Sequence, residues 1–207
     1  DRSNSRTKRI MKELCSLSAE ELETRLLGAV GDNTWPPIHK AVELAKDKHT
    51  GQLRKDGSEF VTHPFRVALL LLEVGNLNDP NLLCAAVLHD IVEDTELNCD
   101  DLMGDFGSKV ADLVRSMTLP DLRDGQSKSD RDQVHFSALS WDGRDSQILR
   151  SSDRLDNILS LNDDFPPDRL TDYLADTRKG LLPLTLACNT AIYHALNDSL
   201  AASGCPE

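Results

Sequence analysis

The sequence lacks any long uninterrupted run of apolar residues. Apolar runs such as residues 67–72 are far shorter than the roughly 18 residues that a membrane-spanning helix needs. We therefore expect a soluble protein. A charged segment followed by an apolar one is also missing from the start of the chain, so we expect no export signal.

Paired cysteines are missing as well. The five cysteines are odd in number and none are spaced as CxxC. This pattern argues against a disulfide framework and against a thiolate zinc site. It is typical of a protein from a reducing compartment, and we expect a cytoplasmic location.

Positive charge is scarce. The chain has 23 Lys and Arg against 35 Asp and Glu, a formal net charge of -12. Such a surface repels a polyanion, so long DNA or RNA is not an expected partner. A small phosphorylated ligand remains open if a local basic pocket exists. The sequence does not indicate the oligomeric state.

Alternating, strand-like patterns are nearly absent, whereas apolar residues recur at three- and four-residue spacing almost throughout. This periodicity predicts an all-α helical bundle. We divide it into an N-terminal helical extension, residues 1–34, and a main domain with C-terminal helices, residues 35–207. Polar residues 1–8 predict a frayed terminus. Ser18 and Glu21 form a capping box for the helix that follows and ends at Gly31.

Three later segments matter for chemistry. A stripe of Ile38, Val42, Ala45 and His49 predicts a helix that ends with an inward-facing histidine. Residues 82–92 are apolar on nearly every side, which predicts a central helix. Residues 119–132 are polar and have no stripe, so they predict a mobile loop or lid.

His89 and Asp90 interrupt the apolar central helix, where polar side chains are costly unless they are satisfied. A divalent cation would explain them. His49 and Asp153 are predicted to project into the same space, which would bring four nitrogen and oxygen ligands together in an open site. Each signal alone also fits an ordinary structural residue, such as a satisfied polar pair or a core histidine.

Further polar residues flank these four. Glu93 and Asp94 lie one helical turn beyond His89 and Asp90, so either is a candidate general base. His63, followed by Pro64 near a helix start, is a candidate to orient one of the ligands.

The linked motifs resemble the hydrolase domain of RelA/SpoT-type proteins over residues 38–161. In chain order they are HTGQ from His49, RKDG from Arg54, His63-Pro64, HDIVEDT from His89, and DRLDN from Asp153. This ordered set is far more specific than a lone His-Asp pair. The resemblance implies the all-helical HD fold.

The resemblance also implies Mn²⁺ held by His49, His89, Asp90 and Asp153. Glu93 and Asp94 would then handle the water that removes the 3′-pyrophosphate from ppGpp or pppGpp, the alarmones of the stringent response, leaving GDP or GTP. Arg54 and Lys55 would contact the purine, and Asn157 and Arg154 the ribose or phosphate. Because 207 residues leave no room for synthetase and regulatory domains, the expected relatives are the small, hydrolase-only branch.

The sequence departs from the family pattern in two places. Ser151-Ser152 replace an apolar-Ala pair, and Asp156 replaces a His or Tyr. The alternatives are therefore a hydrolase of the adenosine counterpart ppApp, an NADPH phosphatase, or another HD phosphohydrolase acting on a nucleotide monoester, dNTP or cyclic dinucleotide. A non-catalytic nucleotide sensor is the alternative outside enzymes, and the presence of both Glu93 and Asp94 argues against it.

Overall fold

The computed structural model describes residues 2–32 and 34–207, and within them the prediction of an all-α fold is confirmed. The residues described form no strand, and only Leu53 and Glu59 make an isolated bridge. The α-helices are α1 Arg2–Ser16, α2 Ala19–Val30, α3 Ile38–Lys48, α4 Thr62–Leu69, α5 Pro80–Leu88, α6 Ile91–Asp94, α7 Cys99–Phe106, α8 Ser108–Met117, α9 Lys128–Leu139, α10 Arg144–Leu159, α11 Pro167–Asp176, α12 Leu182–Cys188 and α13 Thr190–Ala202. Two π-helical turns, Leu70–Val74 and Thr177–Leu181, continue α4 and α11.

Local capping explains several helix ends. The Ser18 hydroxyl accepts from the Glu21 backbone N–H while the Glu21 carboxylate accepts from the Ser18 N–H, so the predicted capping box is confirmed. Asp79 caps α5 by accepting from the Leu82 N–H. These caps satisfy amide groups that have no partner within their own helix.

The prediction of a frayed N-terminus is wrong for the residues that the structure describes. Helix α1 begins at Arg2 and buries Ile10, Met11 and Leu14 in the main core. Burial of this apolar face stabilises the whole helix, including its polar first turns. Asp1 lies outside the described residues. The domain boundary between residues 34 and 35 stays a prediction.

Helix α5 occupies the centre of the bundle, as predicted. Every residue from Leu82 to Leu88 is buried, and the helix packs against α3, α4 and α8. The helix does not continue through His89 and Asp90. It ends at Leu88, and α6 begins at Ile91, so this pair lies in the turn between two helices. The break could not be predicted from the sequence, because a segment that is apolar on every side shows no helical periodicity whose interruption would mark the end of the helix.

The predicted loop at residues 119–132 is too long. Helix α9 begins at Lys128, capped by Ser127, and Asp132 within it is buried. The Asp132 carboxylate accepts hydrogen bonds from Arg154 and Arg169, partners that lie 22 and 37 residues away in the chain. Tertiary contacts, rather than an apolar stripe, thus hold this polar helix in place. None of the described helices is long and apolar enough to cross a membrane.

Candidate metal centre and adjoining cleft

Four side chains from three parts of the chain meet beside the end of α5. His63 comes from the first turn of α4, His89 and Asp90 from the turn after α5, and Asp153 from α10. The two histidine Nε2 atoms are 3.2 Å apart. Asp153 Oδ1 lies 3.0 Å from His63 Nε2 and 3.3 Å from His89 Nε2. Asp90 Oδ2 lies 3.5 Å and 3.2 Å from the same two nitrogens. We call these four residues the His/Asp cluster.

Contacts on the outer side of each ring decide which nitrogen carries its proton. His89 Nδ1 lies 2.6 Å from the Ala86 carbonyl oxygen, which can only accept, so Nδ1 donates. His63 Nδ1 lies 2.7 Å from the Asp156 carboxylate and donates in the same way. Both Nε2 lone pairs therefore face each other and two carboxylate oxygens. Such an arrangement is stable only with a cation or added protons between the four atoms.

The spacing of these atoms fits a divalent metal ion. Donors about 2.1 Å from one ion lie roughly 3.0 to 3.4 Å from their neighbours in octahedral or tetrahedral geometry. The measured separations of 3.0 to 3.5 Å fall close to this range. Nitrogen and oxygen donors without a thiolate suit ions such as Zn²⁺ or Mn²⁺. His63, His89 and Asp90 thus form a group that could hold a metal ion, and Asp153 contacts both histidines.

The electrostatics of the cluster favour positive charge at its centre. Burial disfavours the imidazolium form of His89, yet Asp90 and Asp153 outweigh it and raise the pKa of His89 well above its usual value. For Asp153, burial acts against the carboxylate, but hydrogen bonds from the two histidines and the charge of Arg150 hold its pKa well below the usual range. The charges of the cluster therefore favour a cation at its centre.

The place of His49 in the ligand set stays a prediction. His49 is buried as predicted, but it makes no hydrogen bond or ion pair with the cluster. Its Nδ1 lies 2.8 Å from the Gln52 side-chain oxygen, its ring packs 4.7 Å from that of Phe60, and its buried Nε2 has no hydrogen-bond partner among the described residues. His63, predicted only to orient a ligand, lies in the cluster. The apolar residues of the buried helix α4 were the sequence signal that could have placed His63 in the cluster.

Asp156 holds His63 in position. Its Oδ2 accepts from His63 Nδ1, and its Oδ1 accepts from Arg66 Nε at 2.7 Å. Asp156 and Arg66 are both buried, so their ion pair is shielded from solvent. This departure from the family pattern therefore places a carboxylate behind a histidine of the cluster, an arrangement that fixes ring orientation in metal sites.

We expect Asp156→Asn to weaken metal binding by roughly 10- to 100-fold, because the amide supports the Nδ1–H tautomer of His63 less strongly. Calorimetric titration of metal into the metal-free protein measures this. Ser160→Ala is the matched control, since Ser160 accepts from the same Arg66 without touching His63. Equal affinity in Asp156→Asn and the parent would contradict the orienting role.

Glu93 and Asp94 border the cluster on the solvent side, where both line the adjoining cleft. Glu93 Oε1 accepts from the backbone N–H of Leu119, which ties α6 to the start of the loop before α9. Partial desolvation and the charge of Asp90 raise the pKa of both carboxyls. A carboxylate with a raised pKa next to a metal centre is suited to accept a proton from water.

Arg150 is a residue of this region that the sequence analysis missed. It donates from Nη1 to Asp153 Oδ2 at 2.8 Å and from Nε to His135 Nε2 at 3.0 Å. Burial and the charges of Arg150 and Arg154 lower the pKa of His135 to about 3, so it stays neutral and able to accept. Arg150 thereby anchors the second oxygen of Asp153.

A cleft of two adjoining cavities opens beside the cluster. The outer cavity, about 400 Å³, has Arg54, Lys55, Asn157, Phe165 and Tyr173 among its lining residues. The inner cavity, about 360 Å³, shares these five residues and extends to Asp90 and Asp153 of the cluster. The two cavities together therefore connect a basic pocket to the candidate metal centre.

The residues predicted to contact the substrate have different surroundings in this cleft, and their roles stay predictions. Asn157 donates to Asp153 Oδ1 and accepts from Arg54, so it connects the pocket to the cluster. Lys55 Nζ lies 5.3 Å from the centre of the Phe165 ring. Arg154 borders the cleft but is buried and engaged. Its guanidinium stacks 4.0 Å from the Tyr173 ring and donates to Asp132 and Thr177. Its main contacts are therefore structural.

The fold and the site define an all-helical protein with a buried His/Asp cluster that could hold a metal ion, beside a cleft lined by Arg54 and Lys55. Residues 41–173 match the family described as HD domain. The chain belongs to the HD domain family.

Two named proteins are similar to this chain in sequence. A protein of Aquifex aeolicus named guanosine-3′,5′-bis(diphosphate) 3′-pyrophosphohydrolase is 35% identical over 153 residues, which are 73% of this chain and 21% of that protein. The chain thus spans about a fifth of that relative's length. The enzyme of the same name from Danio rerio, MESH1, is 32% identical over 127 residues, 59% of this chain and 68% of that protein.

A solved structure supports the same fold. It is described as a metazoan ortholog of SpoT that hydrolyzes ppGpp, and it superposes with a TM-score of 0.72 at 23% identity. The match covers 84% of this chain and 99% of the other. At this identity the likeness establishes the fold.

Proposed function

We propose that this protein hydrolyses guanosine 3′,5′-bis(diphosphate) and its 5′-triphosphate analogue to GDP or GTP and pyrophosphate. The observation that carries the proposal is the continuity of the cleft, in which Arg54 and Lys55 lie at one end and the His/Asp cluster at the other. A purine at the basic end would direct its ribose towards Asn157 and a 3′-phosphate arm towards the cluster. The names of the Aquifex and zebrafish relatives support the same substrate.

In the proposed reaction a water oxygen bonds to the phosphorus next to O3′, and the bond between that phosphorus and O3′ breaks. Glu93, with Asp94 beside it, accepts the proton of the water. The nucleoside O3′ leaves as a hydroxyl after taking up a proton. Arg150 keeps Asp153 oriented, and Asp156 does the same for His63.

The residues that would hold the metal ion are His63, His89, Asp90 and Asp153, and we propose Mn²⁺ as the ion. When bound, it activates water and offsets the negative charge of the phosphate. We propose a cytoplasmic enzyme that acts on a small free nucleotide without long nucleic acid or a membrane as partner.

A turnover panel tests the function. The protein is incubated with Mn²⁺ and, separately, with ppGpp, ppApp, NADPH, dGTP and a cyclic dinucleotide, and the products are separated by chromatography. Pyrophosphate and GDP from ppGpp support the proposal. Exclusive turnover of another nucleotide would replace the substrate, and tight binding of ppGpp without any turnover would indicate a sensor.

We expect Arg54→Ala and Lys55→Ala each to raise KM for ppGpp by about tenfold while kcat changes little. A contact to the base is equally strong in the bound substrate and in the transition state. Steady-state kinetics measure both constants. Lys40→Ala serves as the control, because Lys40 pairs with Asp105 on the surface. A fall in kcat at constant KM would instead assign Arg54 and Lys55 to the chemical step.

A further inference from the structure

We infer that this chain forms a two-fold symmetric dimer, in which a second copy of the chain covers an exposed apolar surface on α9 and α12. The dimer goes beyond the proposed function and does not depend on it. The surface consists of Val134, Ala138 and Trp141, from α9 and the turn after it, and of Pro183, Leu186 and Ala187 from α12. We call these six residues the α9/α12 face.

The α9 part of this face is a stripe of exposed apolar side chains. Val134, Ala138 and Trp141 are four and three residues apart, which is the spacing of one side of a helix. The Trp141 N–H donates to the Ala138 carbonyl oxygen, so the helical turn continues to Trp141. Val134 is 62% exposed and Trp141 is 91% exposed. Because the buried side of α9 already packs through Phe136 and Leu139, the stripe is not used for packing within the described chain.

Helix α12 also presents apolar side chains to solvent. Pro183, Leu186 and Ala187 are all exposed. Thr185 points the other way, where it is buried and shares a hydrogen bond with Ser151 of α10. The side chains that this segment of α12 leaves in contact with solvent are therefore apolar.

The two parts of the face are adjacent. Helix α9 packs against the π-helical turn that leads into α12. Arg144, at the start of α10, donates from Nη2 to the carbonyl oxygen of Cys188, the last residue of α12, at 2.8 Å. Gln147 donates to the Asp142 carbonyl oxygen and accepts from the Cys188 thiol. The turn that contains Trp141 therefore lies beside the end of α12.

Charged residues are missing from both parts of the face. Residues 133–141 and 180–197 contain no Asp, Glu, Lys or Arg, although these four types make up 28% of the chain. The centres of protein interfaces are likewise depleted of charge and enriched in aromatic residues. Two copies that each have a net charge of -12 repel each other, and the repulsion is weakest where both surfaces are uncharged. This face is therefore suited to contact between copies of the chain.

The α9/α12 face is complementary to itself under a two-fold axis. When two copies of α9 cross antiparallel at the small side chain of Ala138, Val134 of each copy lies against Trp141 of the other. Asp130 and Arg144 are exposed beyond opposite ends of the stripe. The same crossing brings the carboxylate of each copy towards the guanidinium of the other. Apolar contacts and charge complementarity thus both favour a second copy as the partner.

Trp141 is the residue whose burial contributes most to this dimer. A tryptophan side chain buries about 150 to 250 Å² when it is covered, and tryptophan is among the residues that dominate binding at interfaces. The two-fold axis buries the indole ring of both copies.

Sedimentation equilibrium over a range of protein concentrations up to about 100 µM tests the inference. We expect a monomer–dimer equilibrium whose Kd rises by about 100-fold or more in Val134→Lys, because each copy would bring an ammonium group into the apolar contact. Met103→Lys is the matched control, since Met103 is an exposed apolar residue of α7 and the substitution adds the same charge outside the face. Its Kd should stay within about twofold of the parent value.

Tryptophan fluorescence gives a second measurement. The chain has two tryptophans, so Trp35→Phe leaves Trp141 as the only one. Trp141 is exposed in the single chain, and its emission should therefore move to shorter wavelength as the concentration rises through the Kd. In the same background, Val134→Lys should abolish this shift.

Two results would overturn the inference. A parent protein that remains monomeric at about 100 µM would leave the α9/α12 face to a partner of different sequence. A dimer that Val134→Lys leaves intact, or that Met103→Lys weakens as much, would place the contact elsewhere. Circular dichroism confirms that each variant is folded, and Trp141→Ser provides the same comparison if Val134→Lys is unfolded. Hydrolysis of ppGpp tests the proposed function separately.

Discussion

Replacing His63 by Ala should strip the protein of its metal and reduce ppGpp hydrolysis by roughly a thousandfold or more, the effect of losing several kcal/mol of metal-derived stabilisation. His63 Nε2 is 3.0 Å from Asp153 and 3.2 Å from His89 Nε2. Its loss leaves Asp90 and Asp153 with one imidazole instead of two. We expect His89→Ala and Asp153→Ala to behave in the same way.

His49→Gln is the matched control for this prediction. His49 is as buried as His63, but its contacts are with Gln52 and Phe60 rather than with the cluster. Elemental analysis of the purified variants should find metal in His49→Gln and in the parent, and little in His63→Ala. Loss of metal from His49→Gln, with metal retained in His63→Ala, would support the ligand set predicted from the sequence, in which His49 is the ligand.

Glu93→Gln should retain the metal and bind ppGpp yet hydrolyse it roughly 100- to 10,000-fold more slowly, the usual contribution of a general base. Gln keeps the size of the side chain and can still accept from the Leu119 N–H, so the loop before α9 should remain attached. It loses proton affinity, and binding should therefore survive where catalysis fails. Single-turnover kinetics report the chemical step and calorimetry the affinity.

The neighbouring carboxylate is the control for Glu93. Asp94→Asn and the double variant show whether Asp94 can accept the proton when Glu93 is absent. In the parent, the base is active only when deprotonated, and the pKa of Glu93 is raised, so kcat should fall as the pH drops through that raised pKa. Parent-like rates in both single variants and in the double variant would show that neither residue is the base.

The pattern of apolar residues predicted the helical class, the central position of α5 and the ends of several helices. These features depend on side chains three or four positions apart, and a sequence displays such relations directly. The Ser18 and Asp79 caps are of the same local kind. His89, Asp90 and Asp153 also stood out, because polar residues in apolar surroundings require a partner.

The contacts that distinguish the two buried histidines come from tertiary structure. His49 and His63 both lie on inward faces of helices, so the local pattern does not distinguish them. What separates them is contact with residues far away in the chain: Asp153 and Asp156 follow His63 by 90 and 93 residues. The sequence by itself determined the helices and the types of residue available for chemistry, because both are local properties. The assembly of those residues into a cluster and a cleft was decided by packing between distant segments, whose geometry no local spacing contains.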